Sequence, residues 1–501
     1  FVRGKCEQFQ PHRPLLAALQ ALRQLLSLLL GDNEENIRTL RSRLQAGLGS
    51  DSGVLHELLP GFAALAGDSA PPARLDPREA QIRLTGMLVR LIRIVASPTH
   101  PLVLVLDDLQ WADRPTLDFV SALMEEEDLD GFLFVGLLRS EDAVTTPSLR
   151  RLVETPVSGV RASNILPLDN LPRRALDALV GEMLGARTEE IRGLAAEIHR
   201  TTQGNPFHAI ELVQTLHREN ILVFNMPKGR WTWDAAALAN RPPSANVVEF
   251  LVRNLSGLPP ETADALVAAA CLGADMTLGL LAQATGTTAA ETAAAVLPSL
   301  ERGVLVTADA EEFSKGVQTA RIAFCHDRMQ QAAVSLRDDA WRIRLRLDMA
   351  RRLTRVADDP AARLRGAEHY AEAVTLLEDP DEKKEVAELF LAAGRIVREA
   401  GAFAAARRFL RLALELLGPV PRENAPELTW QLREELHLVC YCLPDYAEAD
   451  TLYAELCAHS PEAERLAGPA SIQVMSLSNR TRYEEALRLG AALLSKLEIA
   501  V

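Results

Sequence analysis

Two adjacent acids, Asp107 and Asp108, follow an apolar run in the stretch LVLVLDDLQWAD, which covers residues 102–113. A buried parallel strand ends at the sheet edge where ligands bind in open α/β folds, so Asp107 would leave such a strand facing a binding crevice. Its carboxylate is suited to hold Mg²⁺ through water, and Asp108, one residue later, is placed to polarise an attacking water molecule. The stretch therefore predicts phosphoryl-transfer chemistry at a strand end.

A third candidate, Arg139, ends the next apolar run, GFLFVGLLR at residues 131–139. Its charge would suit a γ-phosphate at the same edge, because phosphoryl transfer depends mainly on positioning and on charge neutralisation. Both assignments have structural alternatives. The two acids can instead cap the following helix, DRPTLDFVSALM, and Arg139 can be a surface residue in a strand-end loop.

Phosphoryl transfer also needs a loop that cradles phosphates, and the pattern GxxxxGK[ST] does not occur in the sequence. The nearest candidate, Gly4-Lys5-Cys6, lacks both the upstream glycine and the hydroxyl residue that contacts magnesium. We therefore expect the phosphate loop to lie upstream of Phe1, so that the chain is a fragment of a longer protein and is inactive as an ATPase by itself.

The acids and the arginine must be positioned by a sheet, and residues 1–165 alternate between apolar strand candidates and amphipathic helices. The strand candidates cover residues 1–6, 102–109, 131–139 and 164–168. Apolar strands without alternation are typical of a parallel sheet covered on both faces, and strand–helix alternation indicates a doubly wound α/β domain. We predict a truncated P-loop NTPase core in this region.

The rest of the chain is predicted to be largely helical and to form three further domains. Residues 166–240 form a helical domain that contains the breaker Gly204-Asn205-Pro206, and Trp231 and Trp233 pack in a hairpin. Residues 241–340 combine short helices with two strand-like segments, which suits a winged-helix-like domain. Residues 341–501 form a helical solenoid similar to tetratricopeptide repeats, since aromatic and alanine residues recur together. These pairs are Phe403/Ala406, Tyr446/Ala449 and Tyr483/Ala486.

Composition restricts the class of partner. The net charge of −14 argues against a general nucleic-acid binder, which needs a basic face to neutralise phosphates. Six scattered cysteines without a CxxC pair indicate small buried side chains in a reducing compartment, so we expect a cytoplasmic protein. The sequence lacks an uninterrupted run of eighteen apolar residues, and we expect it not to span a membrane.

Several motifs occur in an order that resembles a known family. They are FVRGKCEQFQ, EAQIRL, VLVLDDLQWAD, GLLRSED, TTQGNPFHAIELVQTLHRENIL, GRWTWD and FCHDRMQQAA. Together they resemble the signalling ATPases of the STAND class over essentially all 501 residues. More narrowly, they resemble the AAA-type ATPase module of multidomain bacterial Ser/Thr kinase and hybrid sensor histidine kinase proteins.

The resemblance implies a role for each matching position. Asp107 corresponds to the Walker B acid that binds magnesium, Asp108 to the acid that activates water, and Arg139 to the sensor arginine. Pro206 corresponds to the proline that packs near the adenine, although it can simply be the first residue of a helix. His326 corresponds to the histidine that reaches the β-phosphate of ADP in the inactive state, although it can be a structural residue at a strand end.

The function implied is a signalling switch that binds ATP or ADP with Mg²⁺, hydrolyses slowly and regulates attached kinase domains. Its partners would be other domains of the same polypeptide, and further proteins that bind the helical repeats. Two alternatives stay open: the ATPase part of a large LuxR-type transcription regulator, and a scaffold that binds proteins without nucleotide. Direct DNA binding by this segment is not expected, because the candidate recognition helix at residues 289–303 carries one arginine against two glutamates.

Overall fold

The structure is a computed structural model, and the described part of the chain has several gaps. It comprises residues 1–6, 14–67, 75, 77–126, 129–140, 142, 149–150, 152, 164–240, 247–273, 275–355, 360–418, 425–459 and 462–499. Two compact units are present. Unit 1 combines Phe1–Ile165 with Leu353–Val501, and unit 2 is Leu166–Arg352. Most of the described residues are helical, and the parallel sheet is small.

Unit 1 contains a three-stranded parallel sheet in the order β1-β2-β3, which confirms the predicted strand direction. The strands are β1 (Val2–Lys5), β2 (Leu102–Asp107) and β3 (Phe132–Gly136). The helices of this part are Leu16–Leu30, Glu34–Leu48, Gly53–Leu58, Phe62–Ala66, Pro77–Val95 and Arg114–Glu125. The central strand β2 is the most apolar, and its Leu104 and Leu106 are buried between the helices.

Gly4 shows why the segment that most resembles a phosphate loop is not one. It lies inside β1, where a Cβ atom would be 1.8 Å from the carbonyl oxygen of Ala17. The glycine therefore lets the helix Leu16–Leu30 pack directly on the strand, a close approach that only glycine permits. Gly4 and Lys5 thus belong to β1, and Cys6 directly follows it. This agrees with the sequence, which lacks the residues of a phosphate loop at this position.

Two expectations for this domain are wrong. Residues 164–168 form no strand, and Ile165, Leu166 and Leu168 are exposed, because among the described residues no neighbouring strand offers them hydrogen bonds. The sheet is also not covered on both faces along its whole width, since β3 is only half-buried and Leu133 is exposed.

Unit 2 is helical with two small antiparallel sheets. The helices are Arg173–Leu184, Thr188–Thr202, Pro206–Arg218, Ala235–Ala239, Val247–Leu255, Pro260–Leu272, Leu278–Thr285, Ala289–Glu301, Ala310–Ser314, Asp327–Val334 and Asp339–Thr354, the last of which continues into unit 1. The strands are β4 (Leu222–Asn225), β5 (Arg230–Trp233), β6 (Asp275–Thr277), β7 (Leu305–Thr307) and β8 (Arg321–Phe324).

Two sequence predictions for unit 2 are confirmed and one strand was missed. Trp231 and Trp233 lie in the hairpin β4–β5, and the Trp231 indole donates to the carbonyl of Leu184 at 2.7 Å. The two strand-like segments are β7 and β8, which pair antiparallel. The third strand, β6, pairs with β8 and was not expected. The assignment to the winged-helix class stays a prediction.

The C-terminal part of unit 1 is a succession of helices. They are Pro360–Ala373, Pro380–Glu399, Phe403–Leu416, Pro426–Cys442, Tyr446–His459, Ala463–Asn479 and Tyr483–Lys496. Three of them begin at the aromatic residues of the predicted repeat, Phe403, Tyr446 and Tyr483, and the three paired alanines are buried. The aromatic–alanine pairs therefore mark equivalent helix starts.

Seven side-chain contacts in this part of the chain connect residues 36 to 40 positions apart, and others connect residues 22 to 32 positions apart. The seven pairs are Glu372–Arg408, Arg395–Glu435, Arg407–Asp445, Arg411–Glu448, Glu427–Arg465, His437–Gln473 and Tyr441–Asn479. Contacts at a nearly constant separation are what a stack of successive helix pairs requires. The assignment of this stack to the tetratricopeptide class stays a prediction.

Candidate functional site

The acid pair lies at the carboxyl end of β2, the central strand of the parallel sheet. Asp107 is the last residue of the strand, and Asp108 follows it with left-handed backbone angles, φ 55° and ψ 44°. This conformation is uncommon for a residue other than glycine and costs on the order of 1 kcal/mol. Backbone hydrogen bonds from Leu137 to Leu106 and from Leu109 to Leu137 hold the turn on both sides.

The alternative in which these acids cap the next helix is excluded by a third acid. The helix Arg114–Glu125 is capped by Asp113, whose carboxylate accepts from the backbone N–H of Thr116 at 2.7 Å. The same carboxylate accepts from the N–H of Leu15 at 2.9 Å, and burial raises the pKa of Asp113 above its ordinary value. Capping is therefore the role of Asp113, and Asp107 and Asp108 have none in this helix.

Two cations from β1 face the acid pair. The parallel register places Lys5 beside Asp107, and the Arg3 guanidinium forms an ion pair with the Asp107 carboxylate. The Lys5 ammonium lies 3.7 Å from Asp108 Oδ2. The carboxylates have side chains that are 20% and 19% exposed, whereas that of Arg3 is 54% exposed. The acids are thus held in place, and their cationic partners remain accessible to solvent.

Gln110 connects the acid pair with Arg139. Its side-chain amide donates to Asp108 Oδ1 at 2.8 Å, and its Oε1 accepts from the backbone N–H of Arg139 at 3.3 Å. The Arg139 guanidinium lies over the ring of Trp111, 5.9 Å from the centroid. The three residues predicted for this site therefore come together at the ends of two adjacent strands, and Arg139 is a half-buried part of the cluster.

The donor atoms fit a magnesium ion that is completed by other ligands. Among the described residues, His, Cys, Asp and Glu do not form any group of three or more that could enclose a metal. Magnesium is commonly bound through one or two carboxylates together with water and substrate phosphates, and Asp107 and Asp108 supply carboxylates of that kind.

Pro206 and His326 lie in unit 2, where each has a clear local role. Pro206 is the first residue of the helix Pro206–Arg218, which Asn205 caps by accepting from His208 N–H at 3.0 Å. Gly204 has a positive φ of 83°, and a Cβ there would be 2.2 Å from the carbonyl oxygen of Leu171. Local structure thus explains all three residues of the Gly-Asn-Pro motif.

His326 follows β8 and caps the helix Asp327–Val334, its Nδ1 accepting from the N–H of Arg328 at 3.1 Å. Its ring stacks on Phe207, with centroids 4.2 Å apart and planes inclined by 21°. Phe207 directly follows Pro206, so the structure brings the two unit 2 candidates to the same place. Their predicted contacts with a nucleotide stay predictions.

Beside this contact, His208 is almost completely buried against Phe250. Burial disfavours the charged imidazole and lowers the pKa of His208 to about 4. Its Nε2 has no hydrogen-bond partner within the part of the chain that the structure describes.

Sequence reasoning missed Arg3, Lys5 and Gln110. Arg3 and Lys5 are two positions apart on β1, so the strand period places both on the same face. Their partners lie about a hundred residues away in the sequence, and a local pattern does not identify them. Gln110 lies two residues after Asp108. Its polar side chain so close to the candidate acids was the signal that could have identified it.

Comparisons with known proteins identify a similar family, a similar protein and a similar structure. The family of AAA ATPase domains matches residues 1–135. Hybrid signal transduction histidine kinase G of Dictyostelium discoideum is 25% identical over 345 residues, a match that covers 56% of this chain and 10% of that protein. The chain thus spans a small part of the length of that relative.

A solved structure is also similar. It is a Signal Transduction ATPase with Numerous Domains (STAND) protein with a tetratricopeptide repeat sensor from Pyrococcus horikoshii, with a TM-score of 0.42 and 11% identity. The match covers 92% of this chain and 63% of that one. In the described residues, no helix is both long enough and apolar enough to cross a membrane. The family match contains both acids of the site and confirms the resemblance for the ATPase part, so residues 1–135 are similar to AAA ATPase domains.

Proposed function

We propose that the chain is the nucleotide-dependent switch module of a STAND-class signalling protein and that it regulates attached kinase domains through its ATP- or ADP-bound state. The observation that carries the proposal is the position of Asp107 and Asp108. Both lie at the carboxyl end of the central strand in a domain of the AAA ATPase family, and capping of the following helix does not explain them. The similarity to a hybrid histidine kinase supports the connection with kinase domains.

Each residue of the strand-end cluster has a separate task in this proposal. Asp107 would hold Mg²⁺, whose chemistry is to neutralise phosphate charge when it is bound with the nucleotide. Asp108 would orient the attacking water, and the left-handed turn fixes its carboxylate in advance. Arg139 would neutralise the γ-phosphate from the neighbouring strand, with its backbone held by Gln110. The phosphate-cradling loop would come from sequence outside residues 1–501.

Unit 2 would read the state of the nucleotide. In the proposal, Pro206 packs near the adenine and His326 contacts the β-phosphate of ADP in the inactive state. The stacking of His326 on Phe207 supports this, because it brings the start of the helix Pro206–Arg218 into contact with the residue that follows β8. A ligand shifts a conformational equilibrium only through contacts that differ between the states, and a histidine that binds ADP alone would be such a contact.

The helical stack would bind protein partners and transmit their presence. Within unit 1, Arg78 on the ATPase helix Pro77–Val95 donates to the hydroxyl of Tyr446 at 3.2 Å. Tyr446 begins a helix of the stack, and the Arg480 guanidinium lies over its ring, 5.0 Å from the centroid. This contact supports a direct route from a partner on the stack to the ATPase domain.

A nucleotide-independent scaffold is the second candidate, and one observation favours it. Arg3 and Lys5 each form an ion pair with one of the acids, so the protein itself balances their charge, as a protein that never binds nucleotide would also require. The left-handed backbone of Asp108 favours the first proposal, because strained conformations of this kind concentrate at functional sites.

The test is ATP hydrolysis by the protein with its natural flanking sequence. Asp108→Asn should lower the rate by about a hundredfold or more, the usual contribution of a group that orients or activates the nucleophile. ATP binding, measured by calorimetry, should change little. The matched control is Asp118→Asn, which removes an exposed acid from the helix Arg114–Glu125 and should hydrolyse ATP at the wild-type rate. Absence of ATP binding by the wild-type protein would support the scaffold instead.

A further inference from the structure

Arg3 occupies the carboxylate that the proposed metal site needs. Its guanidinium bonds to Oδ2 of Asp107, while Asp107 Oδ1 accepts from the backbone N–H of Asp108 at 3.0 Å. Both oxygens of the acid are therefore engaged. The ion pair of Lys5 is with the other acid, Asp108, so Arg3 is the cation on the proposed metal ligand.

We infer that Arg3 competes with the metal ion for Asp107 and thereby sets the metal concentration at which the site fills. The inference rests on the proposed function, in which Asp107 is the magnesium ligand. A metal ion and the guanidinium both require lone pairs of Oδ2, and two positive charges at one oxygen repel each other. Filling of the site therefore displaces the arginine from the acid.

The surroundings of Arg3 make this displacement inexpensive. Its side chain is 54% exposed, so water can solvate the released guanidinium. Its backbone is fixed independently, because the Arg3 N–H donates to Gln24 Oε1 at 3.0 Å and β1 is paired along its length with β2. The side chain can move while the strand stays in place. Exposed ion pairs contribute at most about 1 kcal/mol, so Arg3 adjusts the metal affinity without blocking the site.

The experiment uses the protein with its natural flanking sequence and saturating ADP. It is titrated with Mn²⁺, a paramagnetic probe of magnesium sites, and binding is monitored by the electron spin resonance of the free ion. Arg3→Met removes the charge and keeps the length of the side chain, and it should lower the apparent Kd about two- to fivefold. Arg3→Gln is a second variant, in case the first does not fold, and should shift the Kd in the same direction. Arg3→Lys retains the charge and should stay within about twofold of the wild type.

Two further variants separate this inference from the proposed function. Arg114→Met removes an exposed arginine that pairs with Asp118 at 2.7 Å, and it should leave the Kd unchanged. Asp107→Asn should abolish the binding. If Asp107→Asn abolishes binding but both neutral variants of Arg3 bind Mn²⁺ as the wild type does or more weakly, the competition is wrong and the metal site stands. If Asp107→Asn binds as the wild type does, or the wild type and the Arg3 variants show no binding, the metal assignment fails and the competition fails with it.

Discussion

Arginine–carboxylate pairs occur both at the strand ends of the parallel sheet and between the C-terminal helices, but their surroundings differ. Asp107 is paired with one arginine, whose side chain is 54% exposed. Glu435 accepts a hydrogen bond from Arg395 at 2.8 Å and forms an ion pair with Arg398 at 2.9 Å that lacks hydrogen-bond geometry, and the side chains of Glu435 and Arg398 are 14% and 16% exposed. A pair with one solvated partner can open at small cost, whereas a shielded pair cannot be broken without leaving a buried charge.

The backbone differs in the same way. Asp108 has left-handed angles at the strand end, whereas Glu435 lies inside the regular helix Pro426–Cys442. In the proposed function the strain at Asp108 belongs to a ligand site, whereas Glu435 has the regular geometry of a residue inside a helix. The contribution of an ion pair to stability therefore has to be judged from its exposure and from the backbone that carries it, because both regions use the same arginine–carboxylate chemistry.

The largest effect on stability is expected for Glu435→Ala in the helix stack. The variant leaves the shielded Arg398 with only the more distant carboxylate of Glu399, at 3.5 Å, and it should lower the local free energy of unfolding by about 2–3 kcal/mol. The measurement is hydrogen exchange of the peptide that covers Pro426–Cys442. The control is Glu484→Ala, which removes an exposed acid paired within one helix with Arg488 and should have almost no effect. Equal protection from hydrogen exchange in both variants would show that a shielded ion pair contributes no more to stability than an exposed one.

A buried histidine, His208, whose Nε2 has no hydrogen-bond partner among the described residues, extends the comparison to unit 2. The pKa of His208 is lowered to about 4, so the unfolded chain takes up a proton below about pH 6.5 and the folded chain does not. Stability should therefore be lost as the pH falls from about 6.5 towards 4, and this residue should contribute about 2 kcal/mol of the loss between pH 7 and pH 5.

The measurement is urea unfolding at pH 7 and pH 5, monitored by hydrogen exchange of the peptide that covers Pro206–Arg218. His208→Phe keeps an aromatic ring beside Phe250 and removes the titrating group, so its pH dependence should be weaker by that amount. The same pH dependence in both proteins would mean that the pKa of His208 is not lowered by folding.

The smallest effect is expected for Arg411→Gln. The guanidinium bonds to both oxygens of Glu448 at 2.7 and 2.6 Å, but the arginine side chain is 50% exposed. Hydrogen bonds to Glu448 raise the pKa of Arg411, which stays charged either way. We expect a loss of about 0.5 kcal/mol, measured by hydrogen exchange of the peptide that covers Tyr446–His459. A loss as large as that of Glu435→Ala would show that exposure does not decide the strength of these pairs.

The sequence predicted those features that depend on local patterns. Apolar runs marked β2 and β3, the strand candidate at residues 1–6 marked β1, and the acids at the end of β2 marked the candidate site. The recurring aromatic residues marked three helix starts, Phe403, Tyr446 and Tyr483. Each of these features depends on a segment of about ten residues, in which side-chain periodicity and strand ends can be recognised.

Features that depend on distant partners could not be predicted. The pairing of Arg3 with Asp107 requires the register of β1 on β2, across 104 positions of sequence. The segment at residues 164–168 is apolar enough for a strand, but pairing depends on a neighbour that a local pattern does not specify. The capping role of Asp113 was also missed, because three acids in one motif compete for it and only the folded turn selects among them.

The most direct test compares Asp107→Asn with Glu435→Ala for both binding and stability. In the protein with its natural flanking sequence, Asp107→Asn should raise the Kd for Mg·ATP about tenfold or more and leave the unfolding midpoint in urea unchanged. Glu435→Ala should do the reverse, with a lower unfolding midpoint and an unchanged Kd. The account would be contradicted if Asp107→Asn bound Mg·ATP as tightly as the wild type, or if it destabilised the protein as much as Glu435→Ala.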